Sequence, residues 1–559
     1  MLNLVNIPGL IAILTPPSAA EYVAVIPGAI IALTALIVII LDVFHRNETT
    51  RDYMAYVSAI GMAASILSCW MLWGDTLSTP VFHGMLYADK FGLFFAALSC
   101  SVGILAVLMS PRYLQSQGMD RSEYYMLLLF GVLGMIFMAS AADLLTIFIA
   151  LEVMSIPVYC VAAFLRREPR GAEAGLKYFI LGAFSTTFML YGIALIYGLT
   201  GSTNLEMVAT GLSTLASAET AGSTHGIALM AVLLVLSGLG FKLAAFPFHM
   251  WAPDVYTGSP TPAVGFMATG VKAAAIAAII RVGVVAFYEP SIRGGFFGYG
   301  WIDLLLVMAF GSVIIGNLVA ITQTNVKRML AYSSIAHAGY ILVGVVAANS
   351  REAFYLYNDA ALFYILSYSF GTLGAFGALS YFSRKAGQVE TYEHLAGLGL
   401  KYPVIGAVLT VSMLSSAGIP PTAGFLAKLY VFRAAIDVGV QTGENVFIAL
   451  AVVAIMTSVA GVYYYLKVLV FLYMKPATED VYALEHSGAK FALIMTAILT
   501  LYLGIFPNRA INAAREAVIG MVGAPAAVQP AIAKGKSMLA AAKAKEADIK
   551  SVPVAIIND

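Results

Sequence analysis

The chain has 559 residues, of which 60% are hydrophobic and only 11% are charged, and its mean hydropathy is +0.87. Soluble domains carry about 25% charged residues, so this composition excludes a soluble protein and indicates that most of the chain lies in a lipid bilayer. The net charge of +1 gives no electrostatic basis for binding nucleic acid.

No motif in the sequence predicts a bound redox cofactor or metal. The three cysteines, Cys69, Cys100 and Cys160, are far apart in apolar stretches. They lack the spacing that holds zinc, an iron–sulfur cluster or haem. The stretch before residue 46 contains no Lys or Arg, so the N-terminus is not predicted to be a cleaved signal peptide.

A helix that crosses the hydrocarbon core needs about 20 apolar residues. Fourteen stretches meet this requirement, and we predict an all-α polytopic membrane protein with about 14 spanning helices. The fourth and fifth spans are separated only by the "AAD" at 141–143. In chain order the predicted spans are 22–43, 53–73, 91–110, 122–140, 142–164, 172–198, 226–250, 261–288, 301–323, 328–347, 354–383, 402–433, 444–474 and 488–506.

Basic residues are distributed unevenly between the two sets of loops. The loops after odd-numbered spans hold Arg46, Arg51, Arg112, Arg121, Arg166, Arg167, Arg170, Lys327, Arg328, Arg384, Lys385, Lys401, Lys475 and Lys490. The opposite side holds Lys90, Arg293, Arg351 and Arg433. Because basic loops stay cytoplasmic, both termini are predicted to face away from the cytoplasm. The seven Lys and Arg after Pro507 oppose this assignment, but most lie beyond the roughly 20 residues over which the rule acts.

Six basic side chains fall within the predicted spans at more than one turn from a span end. They are Lys177, Lys242, Lys272, Arg281, Lys428 and Lys467. A charge at the bilayer centre costs roughly 2.5–3.5 kcal/mol on insertion scales, so each is a functional candidate. Arg281 and Lys467 lie near span ends, and we predict that they extend to the headgroups. Lys177 lies only one or two turns inside its span, where a headgroup contact and a functional role are both open.

Glu152, Lys242 and Lys272 lie deeper. Glu152 and Lys272 are each about ten residues from the start of their spans, which at about 1.5 Å per residue brings them near the midplane. Lys242 precedes Pro247 in a span that this proline interrupts. We predict a functional role for all three, the alternative being buried ion pairs that fix helix packing.

Two spans contain prolines that break a helix. One break is in "AAFPFHMWAPDVYTGSPTP" and the other is at Pro420 and Pro421 in "SSAGIPPTAGFLAKLY", just before Lys428. Broken helices survive in a membrane only where protein or a watery cavity surrounds them. Transporters use them to face the moving ion. Asp254, after Pro253, is predicted to cap a helix or turn.

The two breaks are five spans apart, which suggests an internal duplication. We predict two inverted five-helix repeats, 122–288 and 301–474. The N-terminal helices at 1–121 precede them, and the last helix at 488–506 and a polar, Ala-rich tail at 507–559 follow. His337, in "AYSSIAHAGYILVG", lies in the middle of a span of the second repeat. A proton-relay role and a packing role are both open for it.

Four segments resemble a known family. The segment "FKLAAFPFHMWAPDVYTGSPTPAVGFMATGVKAA" resembles the signature of the antiporter-like membrane subunits of proton-pumping NADH:quinone oxidoreductase, respiratory complex I. The segments "DLLTIFIALEVMSIPVY", "NVKRMLAYSSIAHAGY" and "GIPPTAGFLAKLYVF" fit the same family, and the resemblance covers roughly 85–475. The wording "PFHMWAPDVYTGSPTP" is similar to the N-type subunits, since L- and M-type relatives typically read "HTWLPDA" here.

The resemblance implies roles for particular residues. Glu152 matches the glutamate of the fifth helix, Lys242 the lysine of the broken seventh helix, and Lys272 the lysine of the eighth. Lys428 matches the lysine of the broken twelfth helix, where M-type subunits have a glutamate. Lys177 matches the sixth-helix lysine of N-type subunits. The resemblance also implies that NADH, FMN, iron–sulfur clusters and quinone are bound by other subunits, and that this chain binds none of them.

The implied activity is proton translocation coupled to electron transfer from NADH to quinone. Burial disfavours a charged lysine and a nearby carboxylate favours it, so charge moving relative to Glu152 would load or unload Lys242. The proton would pass through Lys272 toward Lys428, with hydroxyls such as those of Ser333 and Ser334 supporting bridging waters.

The implied location is a bacterial inner membrane. The implied partners are the M-, K- and J-type neighbours in the membrane arm and, through the complex, the peripheral redox arm. Two alternatives remain open. One is a subunit of an Mrp-type cation/proton antiporter, which shares the broken helices. The other is a passive membrane scaffold.

Overall fold

A computed structural model describes residues 16–45, 51–217, 221–288, 300–350, 352–384, 387–477 and 480–551. Arg46, Arg293, Arg351 and Lys385, which contribute to the loop-charge analysis, lie outside these residues. Within the described ranges, thirteen helices are long and apolar enough to cross a membrane. The number is fourteen if the bent pair Glu393–Lys401 and Pro403–Ala417 forms one span. The chain is therefore a multi-pass, almost wholly helical membrane protein, as predicted.

The helices follow one another with short connections. The first twelve are α1 Ala19–Ala24, α2 Ile26–Val43, α3 Asp52–Leu72, α4 Lys90–Met109, α5 Pro111–Ser116, α6 Glu123–Ser140, α7 Leu144–Ala162, α8 Pro169–Thr200, α9 Leu205–Ser217, α10 Ala221–Leu243, α11 Ala252–Gly258 and α12 Thr261–Phe266. The others are α13 Lys272–Val285, α14 Trp301–Ile321, α15 Val326–Asn349, α16 Asn358–Ser380, α17 Leu398–Lys401, α18 Pro403–Ala417, α19 Ala423–Thr442, α20 Asn445–Met474, α21 Ser487–Ile505, α22 Asn508–Ile519 and α23 Gln529–Ser551.

Shorter elements complete the chain. A π-helical segment, Met267–Val271, joins α12 to α13, and 3-10 turns cover Glu352–Tyr357, Glu393–Leu395 and Ala526–Val528. Within the described part of the chain, the all-α prediction has one small exception, a three-stranded antiparallel sheet in the order β2-β1-β3. Its strands are β1 Phe382–Arg384, β2 Gly387–Gln388 and β3 Val481–Ala483.

The "AAD" turn between the fourth and fifth spans is confirmed. Helix α6 ends at Ser140 and α7 begins at Leu144. The Asp143 side chain accepts hydrogen bonds from the backbone N–H groups of Leu145 and Thr146, at 2.8 and 3.2 Å. This N-cap satisfies donors that the first turn of a helix leaves without intrahelical partners, so three residues suffice to end one span and begin the next.

Both predicted helix breaks are present, and side chains bind the backbone groups that they free. Helix α10 ends before Pro247, and the Phe246 N–H donates to Ser312 Oγ at 2.8 Å. At the second break Gly418 has φ +82, a conformation that favours glycine. The Gly424 N–H donates to Ser415 Oγ at 3.1 Å. These side-chain hydrogen bonds satisfy part of the irregular backbone at each break, whereas Pro247, Pro420 and Pro421 are exposed at the surface of this chain. The repeat boundaries remain a prediction.

The centre of the bundle is formed by α12, α13, α15 and α16. Every residue in the most apolar stretch of Thr261–Val285 is buried, and 94% are buried in those of Val326–Asn349 and Tyr355–Ser380. Only a third are buried in Ile26–Val43 and Asn445–Met474, which lie at the periphery. Polar side chains on the central helices are consequently enclosed by protein, without direct access to lipid.

The prediction that Arg281 extends to the headgroups is wrong. Its side chain is fully buried and forms a two-pronged ion pair with Asp89, and it also donates to the Ala139 carbonyl at 2.9 Å. Asp89 in turn caps α4 through the Gly92 N–H at 2.8 Å. Because α13 is surrounded by other helices, a long side chain near its end meets a carboxylate of another helix end before it can reach the interface.

Replacing Arg281 with alanine is expected to destabilise the fold, because Asp89 would remain buried without its counter-charge. Breaking a buried ion pair from one side costs about 3–5 kcal/mol. The amount of folded chain in membranes, measured by quantitative immunoblotting after a thermal challenge, should fall well below wild type. Lys467→Ala is the control, since Lys467 is only half-buried. Equal thermal resistance of the two variants would contradict this prediction.

The C-terminal residues pack against the bundle. We define the strap as residues 507–528, which contain α22 and the turn after it. The Glu516 carboxylate binds Lys90 Nζ at 3.0 Å and Trp73 Nε1 at 2.9 Å, and the Val522 N–H donates to Asp89 at 3.0 Å. The predicted polar tail therefore begins with a segment that docks at the helix ends near Asp89.

Candidate proton-transfer site

Glu152 and Lys242 form the first part of the site. The Lys242 side chain, at the end of α10, is 1% exposed and donates a hydrogen bond to the Tyr159 hydroxyl. Its Nζ lies 4.5 Å from the centre of the Tyr159 ring. Glu152, two turns before Tyr159 on α7, interacts electrostatically with Lys242. Glu152 Oε1 is buried and makes no hydrogen bond to a described residue, so this carboxylate can respond to a charge that approaches it.

Lys272 is the first residue of α13 and is 1% exposed. Its Nζ donates to the Ser334 carbonyl at 2.7 Å. The π-helical segment Met267–Val271 lies immediately before it. Single π turns inside α-helices occur frequently at functional sites, because the inserted residue changes which carbonyls are paired. Counting residues along an ideal helix gives the position of Lys272 along the helix axis, but it does not predict the π-helical segment before it.

His337 links the two halves of the site. Its side chain on α15 is 3% exposed, with Nδ1 2.9 Å from the Tyr364 hydroxyl and Nε2 3.1 Å from the Tyr465 hydroxyl. It interacts electrostatically with both Lys272 and Lys428. Hydroxyl groups can both donate and accept protons, so His337 has a partner of that kind on each ring nitrogen.

Serine hydroxyls extend this network on the same helix. Ser333 Oγ hydrogen-bonds the Tyr465 hydroxyl, and Ser334 Oγ accepts from the Tyr368 hydroxyl at 2.9 Å. Ser334 also provides the carbonyl that Lys272 contacts. The stretch from Ser333 to His337 therefore brings Lys272 and three tyrosine hydroxyls together within about one turn of α15.

Lys428 lies beyond the second helix break. Its Nζ donates to the Ser416 carbonyl at 2.7 Å, the Ala417 carbonyl at 3.2 Å and Ser458 Oγ at 2.9 Å. Three acceptors match the three donors of a lysine ammonium group. Two of them are carbonyls at the end of α18 that the break leaves without helical partners. The break therefore creates the binding site for this lysine.

Lys177 lies apart from the buried set. Its side chain is 39% exposed and pairs with Glu173 at 2.6 Å and Asp254 at 2.8 Å. Asp254 also binds Arg328 at 2.6 Å. The prediction that Asp254 caps a helix or turn is therefore corrected, since its carboxylate joins two basic residues at one end of the bundle.

Sequence reasoning missed several members of the site. Tyr159, Tyr364, Tyr368 and Tyr465 provide most of the hydroxyl contacts; the available signal was their position within apolar spans, because a buried tyrosine hydroxyl usually needs a partner. Lys327 counts as a loop charge in the sequence, yet it is fully buried. It donates to the Ser259 carbonyl at 3.0 Å and to Gln388 Oε1 at 3.2 Å.

Comparison with known proteins supports one family. Residues 141–458, more than half of the chain, match the family model described as NADH:quinone oxidoreductase/Mrp antiporter, TM. The chain is 39% identical over 495 residues to NADH-quinone oxidoreductase subunit N of Trichlorobacter lovleyi, covering 88% of this chain and 96% of that one. It is 39% identical over 516 residues to subunit N 1 of Sorangium cellulosum, covering 89% and 98%.

Two solved structures resemble this chain, one at a sequence identity that supports the family and one at an identity that shows only the fold. A chain of respiratory complex I from Thermus thermophilus with bound aureothin is 34% identical, with a TM-score of 0.69, over 87% of this chain and 98% of that one. A chain of the Mrp complex from Dietzia sp. has a TM-score of 0.72 at only 20% identity, over 93% and 99%. The second likeness shows the fold alone. The chain belongs to the family of NADH-quinone oxidoreductase subunit N, the antiporter-like membrane subunits of respiratory complex I.

Proposed function

We propose that this chain translocates protons in the membrane arm of NADH-quinone oxidoreductase and carries no redox centre itself. The observation that carries the proposal is the kind of hydrogen-bond partner that three buried lysines have. These lysines are Lys242, Lys272 and Lys428. Among the described residues none of them forms an ion pair with a carboxylate, and their hydrogen bonds go to hydroxyl or carbonyl oxygens. A neutral acceptor can bind an amine or an ammonium group, so these lysines are free to change protonation.

Arg281 provides the contrast within the same chain. It has a carboxylate partner that is equally buried, as expected of a structural brace. A passive scaffold would hold its buried lysines in the same way. The different pairing of the three lysines therefore favours translocation over the scaffold alternative.

The proposed transfer runs through these groups in order, starting at Glu152. Glu152 influences Lys242, which receives or gives up a proton as charge approaches or leaves this carboxylate. Transfer then continues to Lys272, to the hydroxyl network around His337, and to Lys428 at the second break. Redox energy enters from NADH, FMN, iron–sulfur clusters and quinone bound by other subunits. Lys177 would act at the entry end, where its ion pairs with Asp254 and Glu173 lie.

We propose that the chain lies in a bacterial inner membrane beside M-, K- and J-type subunits, with both termini on the non-cytoplasmic side. Basic residues of the loops that the positive-inside rule assigns to the cytoplasm meet acids at one end of the bundle, including Arg170 with Glu390 and Arg328 with Asp254. Lys90, which lies in a loop assigned to the opposite side, pairs with Glu516 of the strap at other helix ends. This grouping supports the proposed orientation.

An Mrp-type cation/proton antiporter is the second candidate, favoured only by the similarity of fold. Identities of 34–39% to complex I chains, against 20% to the Mrp chain, argue for the first function. Transport by the purified chain that is driven by sodium and needs no NADH would support the antiporter.

Glu152→Gln tests the proposed function. The amide keeps the size of the side chain but removes the charge that influences Lys242, so proton pumping per NADH oxidised should fall by roughly tenfold, a modest effect for a proton-transfer group. Pumping is measured in inverted membrane vesicles and normalised to assembled complex. Glu123→Gln, at an exposed helix end, is the matched control. Unchanged pumping in the Glu152 variant would remove this carboxylate from the mechanism.

A further inference from the structure

A buried carboxylate outside the lysine path lies where the strap meets α16. Asp359 is the second residue of α16, and its side chain is 10% exposed. Its Oδ2 accepts a hydrogen bond from Arg515 Nε of the strap at 2.9 Å. Further along α16, Tyr364 hydrogen-bonds His337, and Tyr368 packs against the ring of His337 at a centroid distance of 4.9 Å. One helix therefore connects the hydroxyl network with this end of the bundle.

The distance along that helix is short. Asp359 and Tyr364 are separated by five residues, or about 7.5 Å of axial rise. Helix α19 runs beside them, and Tyr430, two residues after Lys428, packs against Phe363 at a ring distance of 5.7 Å. Tyr430 interacts electrostatically with both Asp359 and Arg515. The carboxylate thus lies about one and a half turns from Tyr364, which hydrogen-bonds His337, and it interacts electrostatically with Tyr430.

Charged groups near Asp359 extend outward from the bundle. On α19, Asp437 accepts a hydrogen bond from the Tyr357 hydroxyl at 3.1 Å and pairs with Arg433 at 3.4 Å. The side chain of Asp437 is 30% exposed and that of Arg433 is 70% exposed. Polar groups therefore lead from the buried Asp359 to the surface.

Arg515 is not needed to hold the strap in place. Glu516 binds Lys90 and Trp73, the Tyr355 hydroxyl donates to the Val518 carbonyl at 2.9 Å, and the Val522 N–H binds Asp89. These four contacts fix the strap immediately after Arg515, at residues 516–522. The Arg515–Asp359 pair is consequently available for a role other than anchoring.

We propose that Asp359 is the carboxyl group that releases protons at this end of the path, and that Arg515 is the counter-charge that returns it to the carboxylate form. The inference rests on the proposed function. An O–H bond forms on Asp359 as the hydroxyl network at Tyr364 gives up a proton, and the network regains a proton from the lysine side of the path. That bond then breaks as the proton passes to water at the surface. Arg515 stays charged throughout, because guanidinium does not release protons in proteins.

Asp359→Asn tests the inference. The amide oxygen still accepts a hydrogen bond from Arg515 but the side chain cannot carry the proton, so pumping per NADH should fall by roughly tenfold. Asp359→Glu should restore most of it. Glu516→Gln is the control. It changes another acid in this region, one that belongs to the strap and binds Lys90 and Trp73, and it should pump like wild type. All rates are measured in inverted vesicles and normalised to assembled complex.

Two further variants make the outcome decisive. If Asp359→Asn fails to assemble, Asp359→Asn with Arg515→Gln replaces the ion pair by two neutral amides, and reduced pumping is again expected. Lys272→Ala reports on the proposed function itself. Normal pumping by the assembled Asp359→Asn or double variant, with pumping lost in Lys272→Ala, would make Asp359 only an anchor and overturn the inference alone. Normal pumping in Lys272→Ala as well would overturn the proposed function too.

Discussion

Replacing Lys242 with alanine is expected to reduce NADH-driven quinone reduction and proton pumping by roughly tenfold or more, whereas Lys467→Ala should leave both close to wild type. Lys242 is enclosed, bonded to the Tyr159 hydroxyl and influenced by Glu152. Lys467 is half-buried, and its Nζ lies 4.2 Å from the centre of the Tyr392 ring. Both variants delete one lysine from a membrane-spanning helix, so their difference isolates the effect of position.

The measurement is quinone reductase activity and proton uptake in the same inverted vesicles, each divided by the amount of assembled complex. Normalisation matters because truncating a buried lysine also removes packing of its methylene groups. If both variants lose the same fraction of activity, burial and hydroxyl contact do not identify the transfer groups, and the assignment of Lys242 fails.

The broad fold could be predicted because its causes are local. Long apolar stretches specify spanning helices, and the prolines at 247, 420 and 421 forbid continuous hydrogen-bond ladders at those points. The Asp143 cap ends one span and begins the next within three residues. Each of these features depends on neighbours within about a turn, which a sequence displays directly.

The partners of buried charges could not be predicted, because they come from distant parts of the chain. Arg281 and Asp89 are 192 residues apart in sequence. Helical counting gives depth along an axis but does not tell which helix lies opposite. Counting therefore places Lys272 near the middle of its span, yet it assigns Arg281 to the headgroups, which the buried ion pair with Asp89 contradicts. The tyrosines around His337 were missed for the same reason.

The docking position of the strap could not be predicted for a related reason. Helix α22 buries Ala514, Ala517 and Val518 on one face, but where it docks depends on partners from distant parts of the chain, such as Lys90 for Glu516 and Asp89 for Val522. The apolar spacing at 514, 517 and 518 is typical of an amphipathic helix, but it does not identify these partners. The positive charge of Arg515, which weakens the orientation rule when read as loop charge, is paired with Asp359.

Lys428→Arg is expected to preserve assembly yet impair pumping nearly as much as Lys428→Ala, by roughly tenfold. Arginine keeps a positive charge and several donors for the Ser416 and Ala417 carbonyls. It cannot deliver a proton, because the guanidinium group remains protonated in proteins. A lysine that served only to satisfy the carbonyls at the helix break would be replaced by arginine with little loss of activity.

Pumping rates of the two Lys428 variants, normalised to assembled complex, decide between these roles. Lys467→Arg is the matched control for the added bulk, since Lys467 lies on the adjacent helix α20 and is only half-buried. Wild-type pumping by Lys428→Arg would show that charge alone is needed after the second break, and Lys428 would leave the proton path. Loss of pumping in both variants, with assembly retained in the arginine form, requires that this amine itself change protonation.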